Sequence, residues 1–221
     1  MGTKELDRIQ KEFIELYREI ENGGIQLKPL ANGNDSLWST SAMFDLTPLH
    51  IERSWGNLRK EKVLTERPIS LKRISEGIYN NNEMICAKFW KEDELQGFAN
   101  YFEISNGITQ SKRVVIDDDE QELTSISYYH KNKEGLITKM IKAHRSGATL
   151  EEYEYTNSIL SRITIQRRDE FEVMDNPDGI TKASINKIVY VVEYNSSGEL
   201  IGIINEKGEN VYRKPKYKKM I

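Results

Sequence analysis

The sequence predicts an α+β protein in which an N-terminal amphipathic helix packs on a long, twisted antiparallel β-meander of roughly ten strands. Three observations support this fold class. Apolar residues recur at helical spacing near the N-terminus, and apolar and polar residues alternate in short runs from about residue 69 onward. An aromatic–turn–aliphatic unit also returns at nearly regular intervals. The first pattern is typical of a helix with one buried face, and the second is typical of strands.

The helix is predicted over residues 3–24, TKELDRIQKEFIELYREIENGG. Its apolar residues follow one another at steps of three and four: Leu6, Ile9, Phe13, Leu16 and Ile20. Thr3 is a suitable N-cap, and Gly23 and Gly24 predict the end of the helix, because glycine accepts the left-handed conformation there. We expect the apolar face to cover the protein's own sheet, since a stripe of about two heptads is short for a coiled-coil dimer.

Residues 25–68 mix helix breakers with scattered aromatic residues, and no single period dominates. A helix after Pro48 is one interpretation, although Gly56 weakens it. We expect Trp38, Phe44 and Trp55 to anchor this segment to the core.

The runs that follow have the period of strands. ISLKRISEGIY and EMICAKFW flank the polar segment NNN, which predicts a hairpin. Later runs are separated by turn residues: Gly107, Gly135, Gly147, Gly198 and Gly208. In many runs Ser, Thr, Lys and Glu alternate with apolar residues, which predicts a sheet with one dry face and one wet face.

The repeat is visible in the second aromatic residue of each unit. These residues are Phe102, Tyr129, Tyr155 and Tyr194, at intervals of 27, 26 and 39 residues. An interval of 26 residues holds two strands and two turns, so the repeating unit is predicted to be a hairpin used about four times. The longer last interval fits an insertion near residues 169–182.

Three parts are therefore predicted along the 221 residues. Residues 1–68 form the helix and an irregular segment, 69–213 the hairpin-repeat sheet, and 214–221 a basic tail. The lone Cys86 excludes a disulfide within one chain and a metal cluster built on thiolates. The N-terminus lacks an apolar signal region and no run of 18 apolar residues occurs, so we expect a cytoplasmic protein without a membrane partner.

Charge argues against a nucleic-acid partner. Residues 213–221, RKPKYKKMI, hold five basic residues, and outside them 27 basic and 35 acidic residues leave a net charge of −8. A nucleic-acid surface needs clustered Lys and Arg to replace phosphate counterions. The tail could contact an anionic partner, although a solvated C-terminus is the simpler interpretation.

No catalytic or metal motif is recognisable. His50, His130 and His144 have no ligand spacing that resembles a zinc site. Walker, G-x-S-x-G, G-x-G-x-x-G and H-E-x-x-H motifs are missing from the sequence. We therefore expect no cofactor, no metal and no catalytic residues. An enzyme is the less favoured class.

The segment DDDEQE (117–122) concentrates five acidic side chains: Asp117, Asp118, Asp119, Glu120 and Glu122. One interpretation is a solvated turn that blocks edge association, and the other is an acidic surface for a basic partner.

Adjacent aromatic residues on a strand point to opposite faces, so one ring of each pair is outward, either in a cross-strand ladder or in a recognition surface. The candidate partner-binding aromatic residues are Trp90, Tyr101, Tyr128 and Tyr153.

The unit Y-x-x-x-G-x-L/I-x-x-I, in YHKNKEGLITKMI and YNSSGELIGII, resembles the tyrosine–glycine hairpin repeats of the YD/RHS type. The resemblance covers residues 85–212, and the Y-D dipeptide of that type is replaced here by Tyr129-His130, Tyr155-Thr156 and Tyr194-Asn195. The acidic character and build are also similar to those of immunity proteins of bacterial polymorphic toxins. That similarity is one of class and assigns no residue a role.

These features favour a non-enzymatic protein-binding module, in the sharpest form an immunity-type inhibitor that binds a basic toxin domain through its acidic turns and a sheet face. One alternative is an enzyme or small-molecule binder with a pocket between residues 25–68 and the sheet, lined by Trp38, His50 and Trp55. A second alternative is a structural repeat protein, which would need export. The sequence leaves the oligomeric state open.

Overall fold

The fold is seen in a computed structural model, which describes residues 2–31, 33–39, 44–49, 53, 63–69, 73–169 and 185–213. The helix α1 (Gly2–Glu21) precedes thirteen strands within these ranges, and Arg53 is also helical. The strands are β1 (Asp35–Ser39), β2 (Val63–Leu64), β3 (Arg73–Asn80), β4 (Glu83–Lys91), β5 (Glu94–Ser105), β6 (Ile108–Asp117), β7 (Glu120–Lys131), β8 (Ile137–His144), β9 (Gly147–Thr156), β10 (Ile159–Asp169), β11 (Asn186–Tyr194), β12 (Leu200–Asn205) and β13 (Asn210–Arg213). No helix in these ranges is both long and apolar enough to cross a membrane.

All thirteen strands form one antiparallel sheet, in which β3 to β13 are neighbours in chain order. The predicted α+β class and the meander are confirmed. The strand number is higher than the roughly ten predicted, because β1 and β2, from the segment 1–68, extend the sheet beyond β3. The tail 214–221 lies outside the described residues.

The predicted hairpin repeat corresponds to alternate strands. The aromatic residues at its regular intervals lie on β5, β7, β9 and β11. The long last interval contains β10 and, after it, residues 170–184. Residues 170–184 lie outside the described ranges, and they include most of the insertion predicted near residues 169–182.

Short polar turns hold the strands in register. Asn81-Asn82, Asp118-Asp119 and Asn157-Ser158 are two-residue turns with positive φ at both positions, as in type I′ hairpins. Longer turns begin with Asn132, Asn195 and Asn205. The side chain of Asn195, for example, accepts hydrogen bonds from the backbone of Ser197 at 3.0 Å and Glu199 at 2.9 Å. The asparagine side chains thus accept hydrogen bonds from turn N–H groups that have no partner on a neighbouring strand.

Apolar side chains are buried on both faces of the sheet. On the helix face, Leu6, Ile9 and Phe13 of α1 are fully buried against strand residues that include Phe98, Val114, Leu123, Ile126 and Ile141. On the opposite face a second cluster contains Ala99, Tyr101, Tyr129, Met140, Tyr153, Ile163 and Ile203. The prediction of one wet face is therefore wrong. Phe44, Leu46 and Leu49 pack on this second face and shield it from water.

Polar contacts fix α1 on the sheet. The guanidinium of Arg168, which is 3% exposed, donates to the Asp7 carboxylate and to Oε1 of Gln10 at 3.0 Å. At the middle of the helix, the Tyr128 hydroxyl donates to Glu12 Oε1 at 2.5 Å. Hydrogen bonds are directional, so these contacts fix the orientation of α1 relative to the sheet, which apolar packing alone does not determine.

His130 makes stability sensitive to acid. It lies on β7 beneath α1, and its Nε2 atom is buried without a hydrogen-bond partner among the described residues. Burial lowers the pKa of His130, and the nearby Lys139 acts in the same direction. The folded protein thus takes up this proton at lower pH than the unfolded chain, whose histidine titrates at about pH 6.5. Stability from neutral His130 is present above that pH and is lost as the pH falls through the folded pKa.

We expect the free energy of unfolding to decrease when the pH is lowered from about 7 to about 5.5, a range above the titration of ordinary carboxylates. Urea denaturation at several pH values measures this slope. His130→Gln, which cannot titrate, should flatten it. A slope that stays the same in His130→Gln would assign the acid sensitivity to other groups.

Candidate functional site

The predicted acidic segment is the tip of the β6–β7 hairpin. Asp117 ends β6, Glu120 begins β7, and Asp118 and Asp119 form the turn between them, with φ angles of 46° and 65°. Asp117, Asp118, Asp119, Glu120 and Glu122 are all exposed. The structure therefore places all five carboxylates at the surface.

A second acidic turn lies at the same end of the strands. Glu92 and Asp93 connect β4 to β5, which begins at Glu94, and these strands precede the β6–β7 hairpin directly in the sheet. We call the two turns together the acidic end: Glu92, Asp93, Glu94, Asp117, Asp118, Asp119, Glu120 and Glu122. Two arginines form exposed ion pairs there, Arg67 with Asp93 at 2.8 Å and Arg145 with Glu122 at 3.2 Å. Carboxylates nevertheless outnumber cations, so the acidic end carries a negative potential.

An apolar-floored groove runs between the β6–β7 hairpin and the C-terminal end of α1. Its volume is about 700 Å³. Apolar side chains, including Tyr17, Ile20, Ile25 and Leu123, share its lining with Glu21 and the carboxylates of the hairpin. We call this site the acid-rimmed groove. Burial, followed by the charges of Glu21 and Glu122, raises the pKa of Tyr17, so its hydroxyl stays neutral beside the rim.

Side-chain amides hold the chain that leaves α1. Gln121 of β7 accepts a hydrogen bond from the Leu27 N–H at 2.9 Å and donates to the Leu27 carbonyl at 2.7 Å. Asn100 of β5 makes the same type of contact with Leu30 N–H, at 2.9 Å, and with the Lys28 carbonyl, at 2.7 Å. The wall of the groove is thereby fixed to the sheet.

Only Trp90 of the four predicted aromatic site residues remains partly exposed. Its indole donates to Glu76 Oε2 at 3.3 Å, and the Arg67 guanidinium lies 5.3 Å from its ring centre. Trp90 is one residue from the end of β4, next to the acidic end. It can therefore extend the same surface.

The other three aromatic residues were predicted to lie at a partner-binding surface, and that prediction is wrong. Tyr101, Tyr128 and Tyr153 are 4%, 7% and 4% exposed, so they belong to the interior. Tyr128 is covered by α1, while Tyr101 and Tyr153 are in the cluster on the opposite face, whose cover includes residues 44–49. The prediction that one ring of each pair is outward fails because both faces of the sheet are covered.

The opposite face also contains a polar cavity of about 440 Å³. We call it the opposite-face cavity. It is lined by Asp45, Thr47, Arg53, Tyr129, Lys142, His144, Thr149, Glu151, Ile165, Arg167, Tyr190, Ile203 and Val211. Tyr129 on β7 and Val211 on β13 are six strands apart, which is about 29 Å in a flat sheet. Because both line one cavity, the sheet must curl strongly around it.

The cavity partly matches the predicted alternative of a pocket between residues 25–68 and the sheet, since Asp45, Thr47 and Arg53 come from that segment. Its predicted lining differs. Trp38 is on β1 and pairs with Glu76 of β3, while His50 and Trp55 lie outside the described residues.

Two buried ion pairs organise this cavity. Arg113 Nη2 lies 3.0 Å from Asp45 Oδ2, and Arg53 Nη1 lies 2.7 Å from Glu151 Oε2. Tyr153 also donates to Glu151, at 2.6 Å. Burial, and then the charge of Glu151, raises the pKa of Tyr153 well above its ordinary value. The cavity thus holds fixed charges in a setting shielded from bulk water.

No protein-family model matches this chain, and no curated protein matches its sequence. A function therefore has to be inferred from the chemistry of these two sites.

The chemistry available differs between them. Within the described ranges, no group of three or more His, Cys, Asp or Glu side chains converges as a metal site would require. His130 lies beneath α1 and His144 lines the opposite-face cavity, so the sheet separates them. The acid-rimmed groove offers shape and negative charge to a partner. The opposite-face cavity offers buried charges of both signs.

The residues of the opposite-face cavity were not predictable from the sequence for a specific reason. Lys142 and Glu151 occupy positions in alternating strands that the period-two pattern assigns to a wet face. Only the cover over that face makes them interior residues. The one available signal was the pair of adjacent tyrosines on β7, Tyr128 and Tyr129, which requires an aromatic residue on each face.

Proposed function

We propose that this protein is a non-enzymatic binding module that holds a basic protein partner in the acid-rimmed groove. In the sharper form of the proposal, the partner is a toxin domain and the protein is its immunity-type inhibitor, acting in the cytoplasm. The single observation that supports it is a groove of about 700 Å³ whose rim carries the exposed carboxylates of the β6–β7 hairpin.

Charge and apolar area have different tasks in such an interface. Carboxylates on the rim attract a cationic surface and orient it as it approaches. Those that come into direct contact with cations of the partner also form charge-assisted hydrogen bonds, which add affinity. Ile25, which is 38% exposed, can contact apolar side chains of the partner, while Tyr17 and Ile20, at 5% and 6% exposed, form the ordered floor beneath it. An apolar centre with a charged rim is the usual anatomy of a protein–protein interface.

The groove is also prearranged for binding. Gln121 holds Leu27 through two hydrogen bonds, and the turn of Asp118 and Asp119 is closed by the Asp117–Glu120 pair of the ladder. A surface that is already ordered loses less conformational entropy when it binds.

Neutralising the hairpin tip is the direct test. Asp118→Asn combined with Asp119→Gly removes two charges and installs the sequence that type I′ turns prefer, so the fold should be retained. We expect at least tenfold weaker binding to the toxin domain encoded beside this protein, measured by calorimetry with the purified domain, because steering and rim contacts are lost. Cells that express the toxin should also lose protection.

Ser158→Gly is the matched control, because Asn157-Ser158 forms the same kind of turn at the other end of the strands. It should bind as the wild type does. Raising salt from about 0.1 to 1 M should weaken wild-type binding, since the screening length falls from about 10 Å to about 3 Å. Equal affinity of the neutralised variant and the wild type would refute the proposal. A tested toxin that binds neither protein would refute its sharper form.

A further inference from the structure

We propose that the opposite-face cavity binds a small organic anion, a carboxylate or a phosphate monoester, through Lys142 and Arg167. This site is on the face of the sheet that α1 does not cover, and it is independent of the acid-rimmed groove.

The two carboxylates of the cavity are already engaged. Asp45 faces Arg113 at 3.0 Å and also accepts a hydrogen bond from the Thr47 N–H at 2.8 Å. Glu151 faces Arg53 at 2.7 Å and accepts from the Tyr153 hydroxyl at 2.6 Å. Each negative charge thus has its own arginine.

Two cations remain. Lys142 and Arg167 both line the cavity. Among the described residues, no carboxylate oxygen lies within the 4.0 Å of an ion pair from either side chain. Burial lowers the pKa of Lys142, and the charges of Arg113 and Arg167 act in the same direction, while those of Asp45 and Glu151 act against it. Lys142 and Arg167 are therefore the two cations of the cavity lining without an ion-pair partner among the described residues.

An anion is the favoured occupant of such a site. A half-buried ammonium without a counter-ion is costly, because burial removes hydration and nothing replaces it. An anion would accept a charge-assisted hydrogen bond from Lys142 and would raise the pKa of its ammonium group. Arg167 lies at the exposed side, so it can contact the same anion from the entrance.

The remaining wall indicates the body of the ligand. Tyr190, Ile165, Ile203 and Val211 supply an aromatic and aliphatic surface. The volume of about 440 Å³ is within the range of sites for small molecules and larger than an inorganic ion needs. An anionic group attached to an apolar or aromatic body fits both halves of the cavity.

Calorimetric titration with benzoate and phenyl phosphate tests the proposal, with benzyl alcohol as the neutral probe and inorganic phosphate as the probe without an apolar body. We expect one of the two aromatic anions to bind the wild type at least tenfold more tightly than benzyl alcohol. Benzoate as the tighter ligand assigns a carboxylate, and phenyl phosphate assigns a phosphate ester. Inorganic phosphate should bind more weakly than the preferred aromatic anion.

The variant Lys142→Gln should weaken binding of that anion at least tenfold, and Arg167→Gln should weaken it less, because Arg167 is solvated. Lys133→Gln is the matched control. It removes an exposed lysine in the β7–β8 turn, and it should bind as the wild type does. A cooperative thermal transition in each variant establishes that it is folded, and Arg167→Gln provides a second test if Lys142→Gln is not.

Failure of both aromatic anions to bind the wild type would overturn the proposal. So would equal binding by Lys142→Gln or, if that variant does not fold, by Arg167→Gln. The groove variant that combines Asp118→Asn with Asp119→Gly should retain anion binding, which separates this result from the proposed function.

Discussion

Replacing Phe13 with alanine is expected to lower the free energy of unfolding by about 3–5 kcal/mol. Phe13 is fully buried between α1 and the sheet, and its ring centre lies 5.8 Å from that of Tyr17. Alanine has high helix propensity, so α1 keeps its intrinsic stability and the loss comes from packing and the cavity left behind. Urea denaturation monitored by circular dichroism measures the change.

Lys11→Ala is the control on the same helix. Lys11 is exposed, so its replacement should change the free energy of unfolding by no more than about 0.5 kcal/mol. A loss of less than about 1 kcal/mol in Phe13→Ala would contradict the fold, because α1 would then not be an integral cover of the sheet.

The N-terminal helix was predictable because its signal is local. Leu6, Ile9 and Phe13 repeat at helical spacing, and all three are fully buried. The glycines that follow Asn22 predicted its end, and Gly23 does adopt a positive φ of 69°. Nothing beyond the neighbouring turns of the chain is needed to read such a pattern.

The meander was predictable for a similar reason. Each hairpin is closed by a short turn of characteristic residues, so its strands can be identified within one window of sequence. β1 and β2 could not be found that way. β2 has two residues, and it pairs with β1 through Trp38 and Leu64, which are far apart in the chain. Pairing at that distance depends on the finished sheet rather than on local pattern.

The cover of the second face was likewise hidden. Asp45 lies in a segment without periodicity, yet its carboxylate meets Arg113, 68 residues away. That contact turns a predicted wet face into an interior. Because that face is covered, the prediction that Tyr101 and Tyr153 lie at the surface is wrong. The acidic tip of the β6–β7 hairpin is exposed as predicted, because it lies at the end of the strands, beyond the cover.

Removal of one partner from the Asp45–Arg113 pair should therefore be strongly destabilising. The Arg113 and Asp45 side chains are only 16% and 7% exposed, and Arg113 also lies 5.4 Å from the Phe89 ring centre. Arg113→Leu removes one partner and leaves the other charge buried. We expect a loss of about 3–5 kcal/mol in the free energy of unfolding, measured in urea at neutral pH.

A double-mutant cycle separates this cost from lost packing. Asp45→Asn removes the stranded charge, and its amide oxygen can still accept the hydrogen bond from Thr47. The double variant should therefore be less destabilised than the sum of the single variants by about 1–3 kcal/mol. The exposed pair of Arg145 and Glu122 is the comparison, since its side chains are 48% and 46% exposed and its coupling should be below about 1 kcal/mol. Equal coupling energies in the two cycles would mean that water reaches Asp45 as freely as Glu122, and residues 44–49 would then not seal the second face.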